Sequence, residues 1–436
     1  MGEKTAMKKG FHLGFILLLL CSLVLSACSN NTEAEGKNKD GKVVIDFQTF
    51  WGSETRRPVI EKIVDDFNKS QDEIEVKHTF VPWGDIWTKN TAAVAAGNPA
   101  DVIVNDINTV AHRAENGQSE DLSQYIDEGI KDELYPNLWE TVQYKDKFYG
   151  VPFTTDTRVL FYNKDAYKEA GLDPEQPPKT WKELEDHAKK LDVKKDGIYE
   201  RIGFYPTWGS FGAGSWMANA DDGKGFFEGN EMYINTPNKV EALKWVAGWH
   251  KRLGAKNVQA FQAEFGSGQT NPFISEKVAI WTDIASFYTQ IRDTGKDMNF
   301  GIAPIPAFKE EGRNWNEGGG FVMEIPKGAK HPKEAATFIE YLASEKAQKY
   351  WAQKNYDNVA NKKAAESVLK DFTGDEKLVY EQALKNLKDT RFHPAPIDYP
   401  DYASRVDPQL EAAITGKSTP EKALQKAEND VKKLKR

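Results

Sequence analysis

Cysteine is nearly absent: the 436 residues hold two, Cys21 and Cys28. Cys21 falls inside an N-terminal apolar run, so any chain that loses that run keeps a single cysteine, with no disulfide and no cysteine metal site. A basic excess is missing as well. Lysine and arginine number 58 against 66 acids, for a net charge of −8, which argues against a nucleic-acid binder with its positive face. The seven histidines are scattered, with no pair at i,i+3 or i,i+4. No G-x-S-x-G, H-E-x-x-H or Cys–His pattern occurs, so the common hydrolase and metalloprotease motifs have no counterpart. A glycine-rich stretch at residues 203–216, GFYPTWGSFGAGSW, is not followed by Lys-Ser/Thr, and no nucleotide motif is found. Internal repeats are absent. The one long apolar run, residues 11–25, is too short for a confident membrane span.

That run has flanks of its own. Lys8 and Lys9 precede it and Ser26-Ala27-Cys28 follows: a basic region, an apolar region and a small-residue cleavage site. Leu25-Ser26-Ala27-Cys28 resembles the bacterial lipobox, which implies cleavage before Cys28 and lipidation of that cysteine. The alternative is an ordinary signal peptide with a chance cysteine. Removing residues 1–27 takes away Lys4, Lys8, Lys9 and Glu3, and the net charge becomes −10. Residues 28–41, polar after the cysteine, read as a flexible tether.

What remains is large enough for two or three domains. With 39% hydrophobic and 28% charged residues it has the composition of a soluble globular protein. Residues 42–50, KVVIDFQTF, form a first expected strand. Pro58 opens a helix with Val59, Ile60, Ile63, Val64 and Phe67 on one face. Expected strands at residues 75–81 and 101–105 follow, with a helix between them. This alternation predicts a mainly parallel α/β unit. Ligands in such sheets sit beyond the carboxyl ends of the strands, here Trp51 with Glu54 and Asn105 with Asp106.

Residues 148–165, FYGVPFTTDTRVLFYNKD, read as a strand that leaves one sheet for another. Its middle, Thr155-Asp156-Thr157-Arg158, is polar where a buried strand should be apolar. Asp156 and Arg158 form either an internal ion pair or the lining of a cleft. Thr180-x-x-Glu183 is a capping box that opens a helix. Residues 317–321, EGGGF, give a second crossover signal, its glycines allowing backbone angles other residues resist. A helix is expected over residues 333–352. Asp221-Asp222-Gly223 suggests calcium, although a charged surface turn explains it better.

The run VPF-x6-LFYNKDAYKEAGLDPEQPPKTWKELEDHAKKL, the helix AATFIEYLASEKAQ (335–348), YPDY (399–402) and the closing segment LEAAITGKSTP (410–420) together resemble the extracellular solute-binding proteins of ATP-driven sugar importers, the maltose-binding-like group. The resemblance covers nearly all of the chain after the leader. It implies a two-lobed α/β fold of the periplasmic-binding-protein type (type II), hinged by crossover strands. The implied lobes are residues 42–154 plus 321–356 and residues 155–320 plus 357–436. The protein so implied is a monomer that captures a mono- or oligosaccharide between its lobes. It hands the sugar to permease subunits in the membrane, with ATP hydrolysis left to its partners and no cofactor of its own. A lipid-anchored (palmitate-bearing) receptor on the outer face of a Gram-positive cell membrane is the implied location.

A sugar offers hydroxyls at its edge and C–H patches on its faces, so a site wants aromatic platforms and carboxylate acceptors. All 12 tryptophans follow residue 50. Those expected in loops are Trp51, Trp83, Trp208, Trp216 and Trp315; Trp245, Trp249 and Trp351 lie on expected helices and read as core. The resemblance points to Asp106, Asp156, Trp87 and Tyr402 as contacts and to Trp51 and Glu54 as the first ligand loop. It also places Trp281, Asp283 and Phe287 along the cleft. Gly319 and Phe321 of the second crossover, with Trp83, Trp208 and Trp216, complete the candidate set. The competing reading is a secreted hydrolase with Asp106 and Asp156 as a glycosidase pair, but two acids among 66 arise by chance. Arg56, Arg57 and Arg158 could accept an acidic sugar or only pair with nearby acids. The lipobox yields a direct test: metabolic labelling with a radioactive fatty acid should mark the wild type and leave Cys28→Ser unmarked. Equal labelling of both would end that reading.

Overall fold

The computed structural model describes residues 37–295 and 297–435; Cys21, Cys28 and the leader lie outside them. Among the described residues no helix is long and apolar enough to cross a membrane.

A nine-stranded mixed sheet runs through the molecule. Its strands are β1 (Val43–Thr49), β2 (Ile74–Phe80), β3 (Val102–Asp106), β4 (Val151–Asn163), β5 (Ile280–Ile284), β6 (Phe300–Pro304), β7 (Asn316–Glu324), β8 (Asn358–Val359) and β9 (Thr390–Arg391). The parallel start is as the alternation predicts: β1 pairs in parallel with β2 and β3. The helix Arg57–Ser70 between β1 and β2 buries Val59, Ile60, Ile63, Val64 and Phe67, the five residues at helical spacing.

β4 is one continuous strand of 13 residues. Its first half pairs with β7 and β8 and its second half with β5 and β6. Apolar residues on either side of this shared strand gather into two separate cores. The first holds Ile45 to Phe153 and Val322 to Phe372, with Tyr380; the second holds Val159 to Ile305 and most apolar residues from Val379 on. The chain passes between the cores in β4, in β7 and in the helix Gly374–Asn386, where Tyr380 packs in the first core and Val379 and Ala383 in the second. The segment after Tyr356 does not leave the first core, whereas a lobe boundary at 357 assigns it to the second. β8 returns to pair with Thr154 and Thr155, and Val359, Ala364, Ala365 and Val368 pack in the first core. The expected helix over 333–352 is also broken, into Pro332–Ala343 and Glu345–Asn355. Ser344 interrupts it by donating to Tyr341 O (2.6 Å) and accepting from the Ala347 N–H (3.3 Å), a local competition with the helix ladder.

Two polar clusters lock the shared strands. At the first-core end of β7, Glu324 is fully buried and accepts from Asn105 Nδ2 (2.7 Å), Arg113 Nε (2.9 Å) and Ser119 Oγ (2.8 Å). At the other end, Asn316 Oδ1 accepts from Thr157 Oγ1 (2.6 Å) and Thr390 Oγ1 (3.1 Å), which are themselves 2.9 Å apart. That triangle joins β7, β4 and β9 in residues far apart in sequence. Beyond β9, a proline-rich segment returns to the first-core side, where the Ala395 N–H donates to Asn108 O (2.8 Å).

Removing one member of a buried ion pair strands the other. Arg113→Met should therefore lower unfolding free energy by about 3–5 kcal/mol, read by urea titration. A loss under about 1 kcal/mol would show that Glu324 is satisfied without its guanidinium.

Candidate functional site

Asp106 is the last residue of β3, and its carboxylate accepts from the Asn108 N–H (2.8 Å), capping a short turn. Across β7 it faces Phe321, which in turn faces Thr154 of β4. Two residues further along the same face of β4 stands Asp156, and two beyond it Arg158, the spacing of strand residues that share a side. Asp156 lies opposite Gly319, whose N–H donates to its carboxylate (2.9 Å). A Cβ at Gly319 would fall 3.0 Å from that carboxylate. One at Gly320, where φ is +154°, would fall 2.3 Å from Thr154 O. The glycine pair is what lets β7 approach a strand carrying a charge.

Arg158 forms an ion pair with Asp156 through Nη1. It also donates to Glu317 O (3.3 Å) and Ser210 O (3.4 Å). On the second-core side Asp283 of β5 accepts from Trp281 Nε1 (2.8 Å) and from the Ile284 N–H (2.8 Å). Glu317 accepts from Ser215 Oγ, and its charge is felt at Tyr402 and His393.

Burial raises the carboxyls of Asp106, Asp156 and Asp283 above the ordinary range, and Arg158 pulls each of them back. The Asp156 side chain keeps 28% of its surface open although its charge lies deep among protein atoms. Burial pushes the Tyr402 hydroxyl up to about 12 and holds His393 below its usual value, so both are neutral near pH 7.

An aromatic wall adjoins Asp106. Trp83 is 51% exposed, an unusual state for an indole that needs a reason. It makes T-shaped contacts with Phe50 (4.5 Å between centroids), Trp87 (4.6 Å) and Phe321 (5.7 Å). Phe321 thus belongs both to the wall and to the strand opposite Asp106.

The structure brings together Asp106, Asp156, Gly319 and Phe321, joins Trp83 and Trp87 to them through Phe321, and sets Asp283 and Trp281 beyond Arg158. Other candidates sit elsewhere. Trp51 is 1% exposed and packs on Trp351 (4.3 Å) and Phe153 (5.5 Å). Trp216 is on a helix, not in a loop, and fully buried, its indole N–H donating to Pro206 O. Trp208 packs on Phe261 and Phe265, and Phe287 on Phe161 and Phe273. Glu54 is exposed in the loop after β1. Tyr402 rests on Phe226 and Phe227. Phe50, Ser210, Ser215, Glu317 and His393 are additions that sequence reasoning misses. Glu317, next to the glycine run, carries the one local signal; the others reach the site from distant stretches.

Among the described residues no group of three or more His, Cys, Asp or Glu could hold a metal ion. The acids of the 221–223 turn are committed, Asp221 to Lys239 (2.5 Å) and Asp222 to the Trp315 indole (2.7 Å). A depression of about 860 Å3 on one face of β1 and β2, bordered by Asp46, Lys77 and Asp101, contains none of the site residues.

A model of the family described as bacterial extracellular solute-binding protein matches residues 51–349. Among curated proteins, the sn-glycerol-3-phosphate-binding periplasmic proteins UgpB of Shigella flexneri and of Escherichia coli (strain K12) are each 30% identical over 297 residues, 63% of this chain and 64% of theirs. The match spans a little under two thirds of those relatives' length. Among solved structures, CpMnBP1 with mannotriose bound superposes with a TM-score of 0.77 at 28% identity, over 89% of this chain and 100% of that one. The substrate-binding protein Lmo0181 from Listeria monocytogenes in complex with cycloalternan, at 22% identity, 0.73, 90% and 98%, shows the fold alone.

The raised carboxyls give a signed expectation. A group whose folded-state value is raised holds more protons folded than unfolded, so its contribution to stability falls as pH rises through that value. Asp106→Asn keeps an acceptor for the Asn108 N–H and removes a charge disfavoured by burial. It should raise the melting temperature of the unliganded protein at pH 7, and the gain should shrink as the pH falls and the wild-type carboxyl protonates. A lower melting temperature at pH 7 would show that the charge stabilises the fold.

Proposed function

The chain belongs to the bacterial extracellular solute-binding proteins, and from that premise we propose that it is the sugar receptor of an ATP-driven importer. It captures a mono- or oligosaccharide between its two cores and delivers it to permease subunits. The observation that carries this reading is the half-exposed Trp83 wall standing beside a row of carboxylates on the shared strands. Such a pairing suits a ligand with apolar faces and hydroxyl edges. Carboxylates accept charge-assisted hydrogen bonds from hydroxyls, each worth about 1.5–3 kcal/mol. Both acids nearest the wall sit in hydrogen-bonded acceptor geometry, Asp156 accepting from Arg158 and the Gly319 N–H and Asp106 from the Asn108 N–H. Lipidation at Cys28, a tether, the outer face of a Gram-positive cell membrane and a monomeric state complete the proposal.

The relatives' names divide by ligand charge: sn-glycerol 3-phosphate for the curated proteins, mannotriose for the structure at 28% identity. Mannotriose is the first sugar to try. Closure about β4, β7 and the helix Gly374–Asn386 is the motion this layout supports, since ligand favours whichever state it contacts better. Small-angle scattering at saturation should show a smaller radius of gyration, and chromatography should return the sugar intact. Trp83→Ala should weaken binding by about 10- to 150-fold, the loss of about 1.5–3 kcal/mol of aromatic burial. Cleaved sugar, or a Trp83→Ala affinity equal to wild type, would overturn the reading or move its site.

A further inference from the structure

Arg56, Arg57 and Arg158 are the arginines the sequence offers to an anionic solute, and each lies near a carboxylate. Arg56 Nη2 lies 3.0 Å from Asp357 Oδ1. Arg57 Nε lies 3.6 Å from Glu61 Oε1, with its guanidinium over the Phe80 ring. Arg158 is bound to Asp156 and to two backbone carbonyls. Its field also reaches Asp106 on the first-core side and Asp283 on the second, so one positive charge serves three carboxylates. Glu317 adds a fourth. A further guanidinium nearby, Arg391, is the backbone ladder neighbour of Glu317 and lies over the Trp315 ring at 4.3 Å. Burial keeps His393 neutral near pH 7.

We propose that the cleft takes an uncharged polyhydroxylated ligand and rejects phosphorylated and uronate solutes, the guanidinium in its carboxylate row, Arg158, being committed to Asp156. This rests on the receptor reading above. An anion entering beside Asp106 would either face carboxylates of its own sign or have to draw Arg158 away from Asp156. The second course would leave a half-buried carboxylate unpaired. A neutral sugar escapes both penalties, because its hydroxyls donate to the carboxylates as they stand. The selection is made by repulsion as much as by attraction.

Calorimetry on the full mature chain should use pairs that differ only in charge: glycerol and sn-glycerol 3-phosphate, galactose and galacturonate, with mannobiose and mannotriose as longer neutral probes. The expected result is binding of at least one neutral probe, with every anionic probe about 100-fold weaker than that neutral probe or undetected. Neutral affinity should be the same at low and high salt, since no net charge is being screened. Asp106→Asn removes one repelling charge and should narrow the gap between neutral and anionic probes by about tenfold. An anionic probe that binds more tightly than its neutral counterpart overturns the charge selection and leaves a solute receptor standing. A gap unchanged by Asp106→Asn overturns it equally. If no probe of either charge binds, the sugar-receptor reading fails and the charge selection falls with it.

Discussion

Asp156 stands in the middle of a strand whose two halves serve different cores, and its charge has to be satisfied there. Burial disfavours the carboxylate, and the ion pair with Arg158 together with the Gly319 N–H keeps it in place. Much of the surrounding structure follows from that requirement. A Cβ at position 319 would press on the carboxylate, 3.0 Å away. Arg158, once turned toward Asp156, holds the backbone carbonyls of Glu317 and Ser210 and so fixes β7 and the loop after Trp208 around the same charge. An apolar residue at 156 would need no such partners and would offer a hydroxylated ligand no acceptor.

The aromatic residues divide by what they can reach. Trp51, Trp181, Trp216 and Trp351 are buried among other rings and hold the cores. Trp83 meets its ring neighbours in T-shaped contacts and leaves about half of its surface to solvent. Such contacts position an indole, and its open half is the part a sugar ring could meet. Phe321 ties that platform to β7, so a shift in the shared strands would move the wall and the carboxylates together.

Periodicity and caps are legible in the amino-acid sequence because they are local. The buried face of the helix Arg57–Ser70 follows helical spacing, and Thr180 accepts from the Glu183 N–H (3.2 Å), as its capping box implies. The polar centre of the crossover also stands out, since Asp and Arg inside a strand break the apolar pattern. Three features are hidden there. A tryptophan in a loop looks the same whether it faces solvent, like Trp83, or turns inward, like Trp51, because only packing against rings far along the chain, such as Trp351, decides it. Ser344 breaks a helix through two hydrogen bonds that any exposed serine could have declined. The return of β8 to the first core depends on pairing with Thr154 and Thr155, a long-range contact that leaves no local trace.

Thr390 is bonded to Asn316 and Thr157 across separations of 74 and 233 residues, and the Ala395 N–H reaches the loop just past Asp106. The carboxylate row is therefore framed by strands from the middle of the chain and by a segment from its last tenth. Loop closures of that length are slow to form relative to helices and hairpins. A chain still short of residue 390 can assemble much of its first core, including the Trp83 wall, yet it lacks the strand that braces β7 and the segment that holds Asn108. Recognition is thus a property of the finished chain: each core can take shape on its own schedule, and the carboxylate row is framed only after the segment near Ala395 has met the loop at Asn108.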